Sequence, residues 1–152
     1  MEVITIFTAR QALISQGLKV TPQRLAIYKA LLATTAHPTV ESIHEYLSAD
    51  YPTMSLNTVY TTLKALTKAG LARRIDVGDS FRYDSNSLPH AHIVCTACHR
   101  VDDLLAHIDN TLKQLPGQAA SASGFQVKDY SVYFYGICPQ CQRDNKKGGR
   151  IK

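Results

Sequence analysis

The chain has 152 residues, of which 45% are hydrophobic and 19% are charged, so one domain or two small ones with packed cores are expected. This composition excludes a disordered chain, and no apolar run approaches the roughly 20 residues that a membrane helix needs. The first residues lack the basic and apolar regions of a secretory signal. The sequence therefore predicts a cytoplasmic protein with no membrane partner.

The net charge of +5 is unevenly distributed along the chain. Residues 1–84 carry nine basic and seven acidic side chains, whereas the last eleven residues carry five basic and one acidic. Much of the excess lies in a tail rich in Gly, Lys and Arg, residues 143–152, for which the sequence predicts disorder. Such a modest excess permits a polyanionic partner without demonstrating one.

The first half of the sequence predicts helices. Thr21 and Pro22 mark the start of one helix, because threonine is a favoured N-cap and proline is tolerated in the first turn. Apolar residues then follow with helical spacing. A second helix is expected after His37-Pro38-Thr39, and its buried stripe would consist of Ile43, Tyr46 and Leu47.

A third helix is predicted from about Ser55 to Ala69, with Gly70 as a left-handed cap. Its buried face would be apolar and consist of Leu56, Val59, Leu63 and Leu66. The opposite face would present polar and small residues, namely Asn57, Thr61, Lys64, Ala65 and Lys68.

Two short alternating segments, 73–77 and 81–84, surround a Gly-Asp-Ser turn and predict a β-hairpin. Three helices followed by a hairpin are typical of a winged helix, whose third helix reads the DNA major groove. Other small helical domains share this order of elements, so the pattern alone leaves both interpretations open.

The second half predicts a small α/β domain. Strands are expected at about 92–95 and 100–104, a helix near 107–115, a Gly/Ala/Ser loop at 117–124, and a long strand at 125–135. The polar segment 85–89 is typical of a hinge. The predicted class is α+β: a winged-helix domain at 1–84, the hinge, a dimerisation and zinc domain at 90–142, and the basic tail.

Four cysteines form the sharpest motif. Cys95 and Cys98 are one C-x-x-C pair, Cys138 and Cys141 are another, and 39 residues separate the pairs. Two such turns supply the four sulfur ligands that a structural Zn²⁺ prefers. Disulfides are not expected in a reducing cytosol, and a redox role would require a strand–helix context, which the sequence does not predict around either pair. His99 could replace a sulfur, but four cysteines already complete the site.

A second group of metal-binding side chains lies beside the first cysteine pair. His90 and His92 lead into a strand, and alternation places both imidazoles on one side. Asp102 and Asp103 lie on the next strand and must face opposite ways, so only one of them can join the histidines. Imidazole and carboxylate together suit borderline to hard divalent metals.

Several motifs together resemble the ferric uptake regulator (Fur) family. The resemblance spans residues 17–142 and rests on Thr21-Pro22-Gln23-Arg24, Ala36-His37-Pro38-Thr39, Asn57-Thr58-Val59-Tyr60, Arg82-Tyr83-Asp84, His90-Ala91-His92-Ile93-Val94-Cys95 with Cys98, and Tyr135-Gly136-Ile137-Cys138 with Cys141. It implies a homodimeric, metal-dependent repressor of transcription that binds double-stranded operator DNA, and not an enzyme.

The resemblance also implies two metal sites. Structural zinc would be held by the four cysteines, and regulatory Fe²⁺ or Mn²⁺ by a set from both domains and the hinge: His37, Asp84, His90, His92 and Asp103. With aspartate at position 103 the chain resembles the peroxide-sensing branch of the family, whereas iron-uptake repressors usually carry glutamate at this position. In that branch iron-catalysed oxidation of a ligand histidine releases the metal, and His37 and His90 are the matching targets. The alternative is an iron- or manganese-responsive uptake repressor.

The chain departs from the family pattern at three places. His99 replaces a common glycine, and Thr61 replaces the Arg or Asn that follows the tyrosine in better-known members. Asp129 and Tyr130 occupy the positions where the family's optional third site uses histidines, so no such site is expected. The residues expected to contact DNA are Arg24, Asn57, Tyr60, Thr61 and Lys64. From a different class, a small metallohydrolase or a dithiol oxidoreductase built on the C-x-x-C pairs is conceivable.

Overall fold

The computed structural model describes residues 2–104 and 109–147, and they divide into two compact units. The first unit ends at Ser87 and the second begins at Leu88. Among the described residues no helix is long and apolar enough to cross a membrane.

The first unit contains four helices and a β-hairpin in chain order: α1 (Glu2–Ser15), α2 (Pro22–Leu32), α3 (Val40–Leu47), α4 (Leu56–Lys68), β1 (Arg73–Val77) and β2 (Ser80–Asp84). The hydroxyl oxygens of Thr21, Thr39 and Ser55 accept the backbone N–H three residues on, so each of α2, α3 and α4 begins with a side-chain cap. The α1 helix was not predicted, since no capping signal precedes it in the sequence.

The core of the first unit consists of apolar side chains from all four helices and from the hairpin. Ile27 and Leu31 of α2 pack with Val59, Leu63 and Leu66 of α4. These α4 residues confirm most of the predicted buried face, and the two strands pair in antiparallel register around Gly78. The unit therefore has the elements of a winged helix, preceded by one more helix.

Two side chains of the predicted apolar stripes are exposed instead of buried. Tyr46 is 72% exposed and Leu56 is 44% exposed. In the short α3 helix, Ile43 and Leu47 are one turn apart and form the buried row, so Tyr46 lies on its flank. Leu56 is the first residue of α4, where the helix emerges from the core.

The second unit contains β3 (Ala91–Cys95), β4 (Val101–Leu104), α5 (Asp109–Ser123), β5 (Val132–Gly136) and α6 (Pro139–Lys147). The sheet order is β4-β3-β5, with β3 antiparallel to β4 and parallel to β5. Its buried apolar side chains include Ala91, Val94, Val101 and Leu112.

Three predictions for this unit are wrong in extent. The loop predicted at 117–124 is helical through Ser123, because helix-forming residues follow Pro116 and Gly124 ends the helix in the left-handed conformation. The strand predicted at 125–135 begins only at Val132, because β5 pairs with a five-residue partner, β3. The α6 helix includes residues 143–147, for which disorder was predicted. Residues 107 and 108 of the predicted helix, and residues 148–152, lie outside the described residues.

Candidate metal sites and nucleic-acid interface

The four cysteine sulfurs converge on one point in the second unit. Cys95 ends β3, Cys98 lies in the turn after it, and Cys138 and Cys141 lie at the start of α6. All four sulfurs lie within 4.8 Å of one another, and the Cys98 and Cys138 sulfurs are 3.8 Å apart. An ideal tetrahedral site with Zn–S bonds of about 2.3 Å places its sulfurs about 3.8 Å apart. The free thiols therefore match the geometry and the chemistry of a structural zinc site.

Backbone N–H groups lie close to this sulfur cluster. The Cys138 N–H donates to the Cys95 sulfur at 3.3 Å, and the Cys141 N–H donates to the Cys138 sulfur at 3.5 Å. Donation from the Cys138 and Cys98 N–H groups lowers the pKa of Cys95 to about 6, whereas hydrogen bonds with the Cys138 and Cys98 sulfurs raise the pKa of Cys141 to about 12. The sulfur cluster therefore favours a thiolate at Cys95 and a protonated thiol at Cys141, and a bound cation would compensate the negative charge of further thiolates.

The backbone conformation at His99 is one that glycine adopts more easily than other residues. The His99 N–H donates to the Cys95 carbonyl at 2.9 Å, which closes the first cysteine turn. This closure places His99 at φ +59°, in the left-handed region that glycine adopts without a steric penalty. The imidazole is not part of the sulfur cluster.

A second cluster in the same unit joins His90, His92 and Asp103. The Nε2 atoms of His90 and His92 lie 3.1 Å and 3.3 Å from a single oxygen, Oδ1 of Asp103. His92 faces Asp103 across the β3–β4 pair, and its ring stacks on that of Tyr133. Asp102 faces the opposite way and pairs with Arg100 at 2.9 Å. This confirms the prediction that only one of the two aspartates joins the histidines.

The hydrogen bonding of His90 determines which of its nitrogens can bind a cation. Its Nδ1 lies 2.8 Å from the Leu88 carbonyl, which can only accept, so Nδ1 carries the proton. In the neutral ring Nε2 then presents a lone pair toward the Asp103 carboxylate. These two electron-rich atoms, 3.1 Å apart, require a cation between them. A proton or a divalent metal would satisfy this arrangement, so the donor set fits a metal.

The first unit contains another pair of metal-binding side chains, His37 and Asp84. Both residues are buried, and His37 Nε2 lies 3.8 Å from Asp84 Oδ2. Asp84 ends β2, and its other oxygen accepts the Asn86 N–H at 2.8 Å. His37 has a positive φ of +50°, and such strain is typical of functional positions. The five predicted regulatory ligands therefore comprise a pair of residues in the first unit and a group of three in the second.

The predicted DNA-reading face of α4 is exposed. Asn57, Tyr60, Thr61 and Lys64 are all exposed, as a recognition helix requires. The Thr61 hydroxyl donates to the Asn57 and Thr58 carbonyls of its own helix, at 2.9 and 3.2 Å. The hydroxyl proton of Thr61 is therefore used within its own helix, and the exposed side chain suits apolar contact with a thymine methyl better than hydrogen-bond donation to a base.

Arg24 is less exposed than those four residues and has an additional local contact. Its Nη1 donates to the Lys19 carbonyl at 2.7 Å, so the guanidinium supports the loop before α2. Its Nε is buried with no hydrogen-bond partner among the described residues. The Arg24 side chain therefore links the start of α2 to the loop that contains Lys19.

The sequence analysis missed two contacts that these metal-binding residues make. The Leu88 carbonyl orients His90, and the Arg82 guanidinium donates to the His37 carbonyl at 3.0 Å. Alternation along β2 places Arg82 on the same strand face as Asp84, so the spacing of the Arg-Tyr-Asp motif could have indicated it.

Comparisons with known proteins agree with this geometry. A sequence profile described as the Ferric uptake regulator family matches residues 15–135. The peroxide-responsive repressor PerR of Staphylococcus aureus is 34% identical over 139 residues, which cover 91% of this chain and 89% of that protein. The Campylobacter jejuni peroxide stress regulator is similar in structure, with 30% identity, a TM-score of 0.69, and coverage of 87% of this chain and 95% of that one. The Vibrio cholerae ferric uptake regulator has 30% identity, a TM-score of 0.68, and coverage of 84% and 98%.

Proposed function

The chain belongs to the ferric uptake regulator family, and on that premise we propose that it is a metal-dependent, DNA-binding repressor of transcription that senses peroxide through bound iron. The observation that carries the proposal is the convergence of His90 and His92 on one oxygen of Asp103, a set of donor atoms that fits a divalent metal. The aspartate at position 103 favours the peroxide-sensing branch, as does the relative named for its response to peroxide.

The two metal sites have different roles in this proposal. Zinc on Cys95, Cys98, Cys138 and Cys141 would join the β3 turn to the start of α6 and stabilise the second unit. The five regulatory ligands, His37, Asp84, His90, His92 and Asp103, would together hold one Fe²⁺ or Mn²⁺. Because these ligands come from both sides of the hinge, metal binding would favour one arrangement of the DNA-binding domain.

The domain roles follow from the same proposal. Residues 1–84 would bind operator DNA through α4, residues 85–89 would act as the hinge, and residues 90–142 would form the homodimer. Two recognition helices in one dimer would read two half-sites of a pseudo-palindromic operator. The protein would act in the cytoplasm and have no catalytic activity of its own.

Peroxide sensing depends on the imidazoles in the regulatory site. Bound Fe²⁺ would supply the one-electron reduction of peroxide that generates a local oxidant. His37 and His90 are the proposed targets, and His90 is held with Nε2 toward the site by the Leu88 carbonyl. One added oxygen on either ring would weaken ligation, so the favoured arrangement of the domains and the DNA affinity would be lost together.

The alternative within the family is an iron- or manganese-responsive uptake repressor. Aspartate and glutamate are both carboxylate ligands, and the chain is also similar to a ferric uptake regulator. Such a repressor would bind its operator with either metal and would be insensitive to peroxide. An oxidoreductase that uses the cysteines would instead require accessible thiols, which zinc would protect.

Operator binding tests the proposal directly. The zinc-loaded protein is titrated with labelled operator DNA in the presence of Mn²⁺ or Fe²⁺, before and after peroxide treatment. We expect both metals to support binding and only the iron form to lose it. Peptide mass spectrometry should then find one added oxygen on His37 or His90. Unmodified histidines together with oxidised, zinc-depleted cysteines would refute the proposal.

A further inference from the structure

The loop that carries His37 is strained, and the strain has an identifiable restraint. His37 has a φ of +50° and directly precedes Pro38, although a residue before proline favours the extended region. A non-glycine residue keeps such a conformation only when neighbouring contacts hold it. Something in the first unit must therefore hold the His37 backbone in place.

Strand β2 supplies three successive contacts to this loop. The Arg82 Nη1 donates to the His37 carbonyl at 3.0 Å, and the Tyr83 N–H donates to the Pro38 carbonyl at 3.0 Å. The Asp84 carboxylate faces the His37 imidazole at 3.8 Å. One strand thus contacts both the main chain and the side chain of the same loop.

The division of these contacts follows from strand alternation. Arg82 and Asp84 are two residues apart, so both side chains lie on one face of β2. The first contacts the carbonyl of His37 and the second contacts its ring. Tyr83 contributes only its main-chain N–H, which any residue except proline can provide. Arg82 therefore contacts the loop backbone through its side chain, so a substitution can remove this contact.

We infer that Arg82 is a positioning residue for the regulatory metal: it holds His37 in its left-handed conformation, so that the imidazole is oriented toward Asp84 before a metal binds. This inference rests on the proposed regulatory site. It assigns Arg82 no contact with the metal or with DNA. Its effect is to reduce the ordering that metal binding would otherwise require.

The inference is tested on the full-length, zinc-loaded protein with Mn²⁺ as the probe. Arg82→Met retains the apolar stem but removes the donor, and Arg82→Gln has an amide too short to reach the carbonyl. Both should weaken Mn²⁺ binding by about 10- to 100-fold, as loss of a contact that orients a ligand does. Arg82→Lys keeps a donor and should recover most of the affinity.

Arg74→Met is the matched control, because Arg74 lies on the same hairpin and contacts Phe81 and Asp76 instead of the loop. It should bind Mn²⁺ as the wild type does. Zinc content should be unchanged in all four variants, since the contact lies outside the cysteine site, and each variant should still unfold cooperatively.

A second measurement does not depend on the metal. In the zinc-loaded protein without Mn²⁺, the Cα and Cβ chemical shifts of His37 report its backbone conformation. They should move toward extended values in Arg82→Met and Arg82→Gln but not in Arg74→Met. Unchanged shifts together with Mn²⁺ affinity within twofold of the wild type would overturn the inference.

A His37→Ala variant separates this inference from the proposed function. If His37→Ala binds Mn²⁺ as tightly as the wild type, the proposed regulatory site is wrong, and the chemical shifts alone then decide whether Arg82 restrains the loop. If His37→Ala loses Mn²⁺ while the Arg82 variants retain it, the site stands and the role of Arg82 is refuted.

Discussion

Replacing His99 tests whether the turn of the zinc site is under backbone strain. The residue closes the first cysteine turn at φ +59°, a conformation that costs an ordinary side chain about 1–2 kcal/mol relative to glycine. Glycine in turn loses about 0.4–1 kcal/mol because its unfolded chain is more flexible. The difference predicts that His99→Gly is more stable than His99→Ala by about 1 kcal/mol.

The comparison between these two variants isolates the backbone. Any contact that the imidazole makes is lost in both, so the remaining difference reflects only the cost of a Cβ atom at positive φ. For a unit of this size, about 1 kcal/mol corresponds to an unfolding temperature higher by about 4–8 °C. Because binding a structural metal is coupled to folding, zinc affinity measured against a competing chelator should also rise by about fivefold.

The assay is thermal unfolding of the zinc-loaded protein, followed by the circular dichroism of the whole chain and by release of zinc to a chromogenic chelator. His99→Ala should release zinc at the lower temperature. Equal unfolding temperatures for the alanine and glycine variants would refute the strain argument, and a more stable alanine variant would reverse it. In either case the frequent glycine of the family would need another explanation.

Three further predictions concern zinc, DNA and peroxide. Cys138→Ser should lose zinc, and its second unit should unfold or become monomeric, because zinc binding contributes about 10–16 kcal/mol in small zinc-dependent folds. Elemental analysis and sedimentation measure this, and a cooperatively melting dimer without zinc would contradict the prediction. Lys64→Ala should weaken binding to all DNA sequences alike and reduce the slope of log K against log salt concentration by about 0.9, whereas Lys113→Ala should not. A changed sequence preference with an unchanged slope would contradict a contact between Lys64 and the DNA backbone. Asp103→Glu should keep metal-dependent repression but resist peroxide, which is measured as histidine oxidation in the iron form. Oxidation at the wild-type rate would show that aspartate at position 103 does not determine peroxide sensing.

Local chemistry explains what could be predicted from the sequence. A C-x-x-C pair carries its ligands within one turn, so the cysteine cluster depends little on the rest of the fold, and all four sulfurs do converge. Capping residues act over three positions, and Thr21 caps its helix as predicted. The helices expected after Thr39 and near Ser55 also begin there, each with a side-chain cap. Strand alternation was sufficient to separate Asp102 from Asp103.

The errors share a different cause, which is that the relevant partner lies far away in sequence. The last strand is five residues long because its partner β3 is five residues long, and nothing in the sequence of residues 125–135 indicates that length. Tyr46 satisfies a helical pattern, yet the direction of the buried row is determined by the helices packed against α3. Periodicity therefore predicts an element better than it predicts where that element ends or which face is covered.

Main-chain acceptors account for what was missed at the candidate metal site. His90 is oriented by the carbonyl of Leu88, and the left-handed loop at His37 is held by an arginine that binds the His37 carbonyl itself. Every residue has a carbonyl, so neither contact depends on the identity of the acceptor. The ligands could be read from the sequence because metals select imidazole, thiolate and carboxylate side chains. Their orientation could not, because it depends on backbone positions that only the folded chain defines, and a variant that retains every ligand can still lose metal affinity.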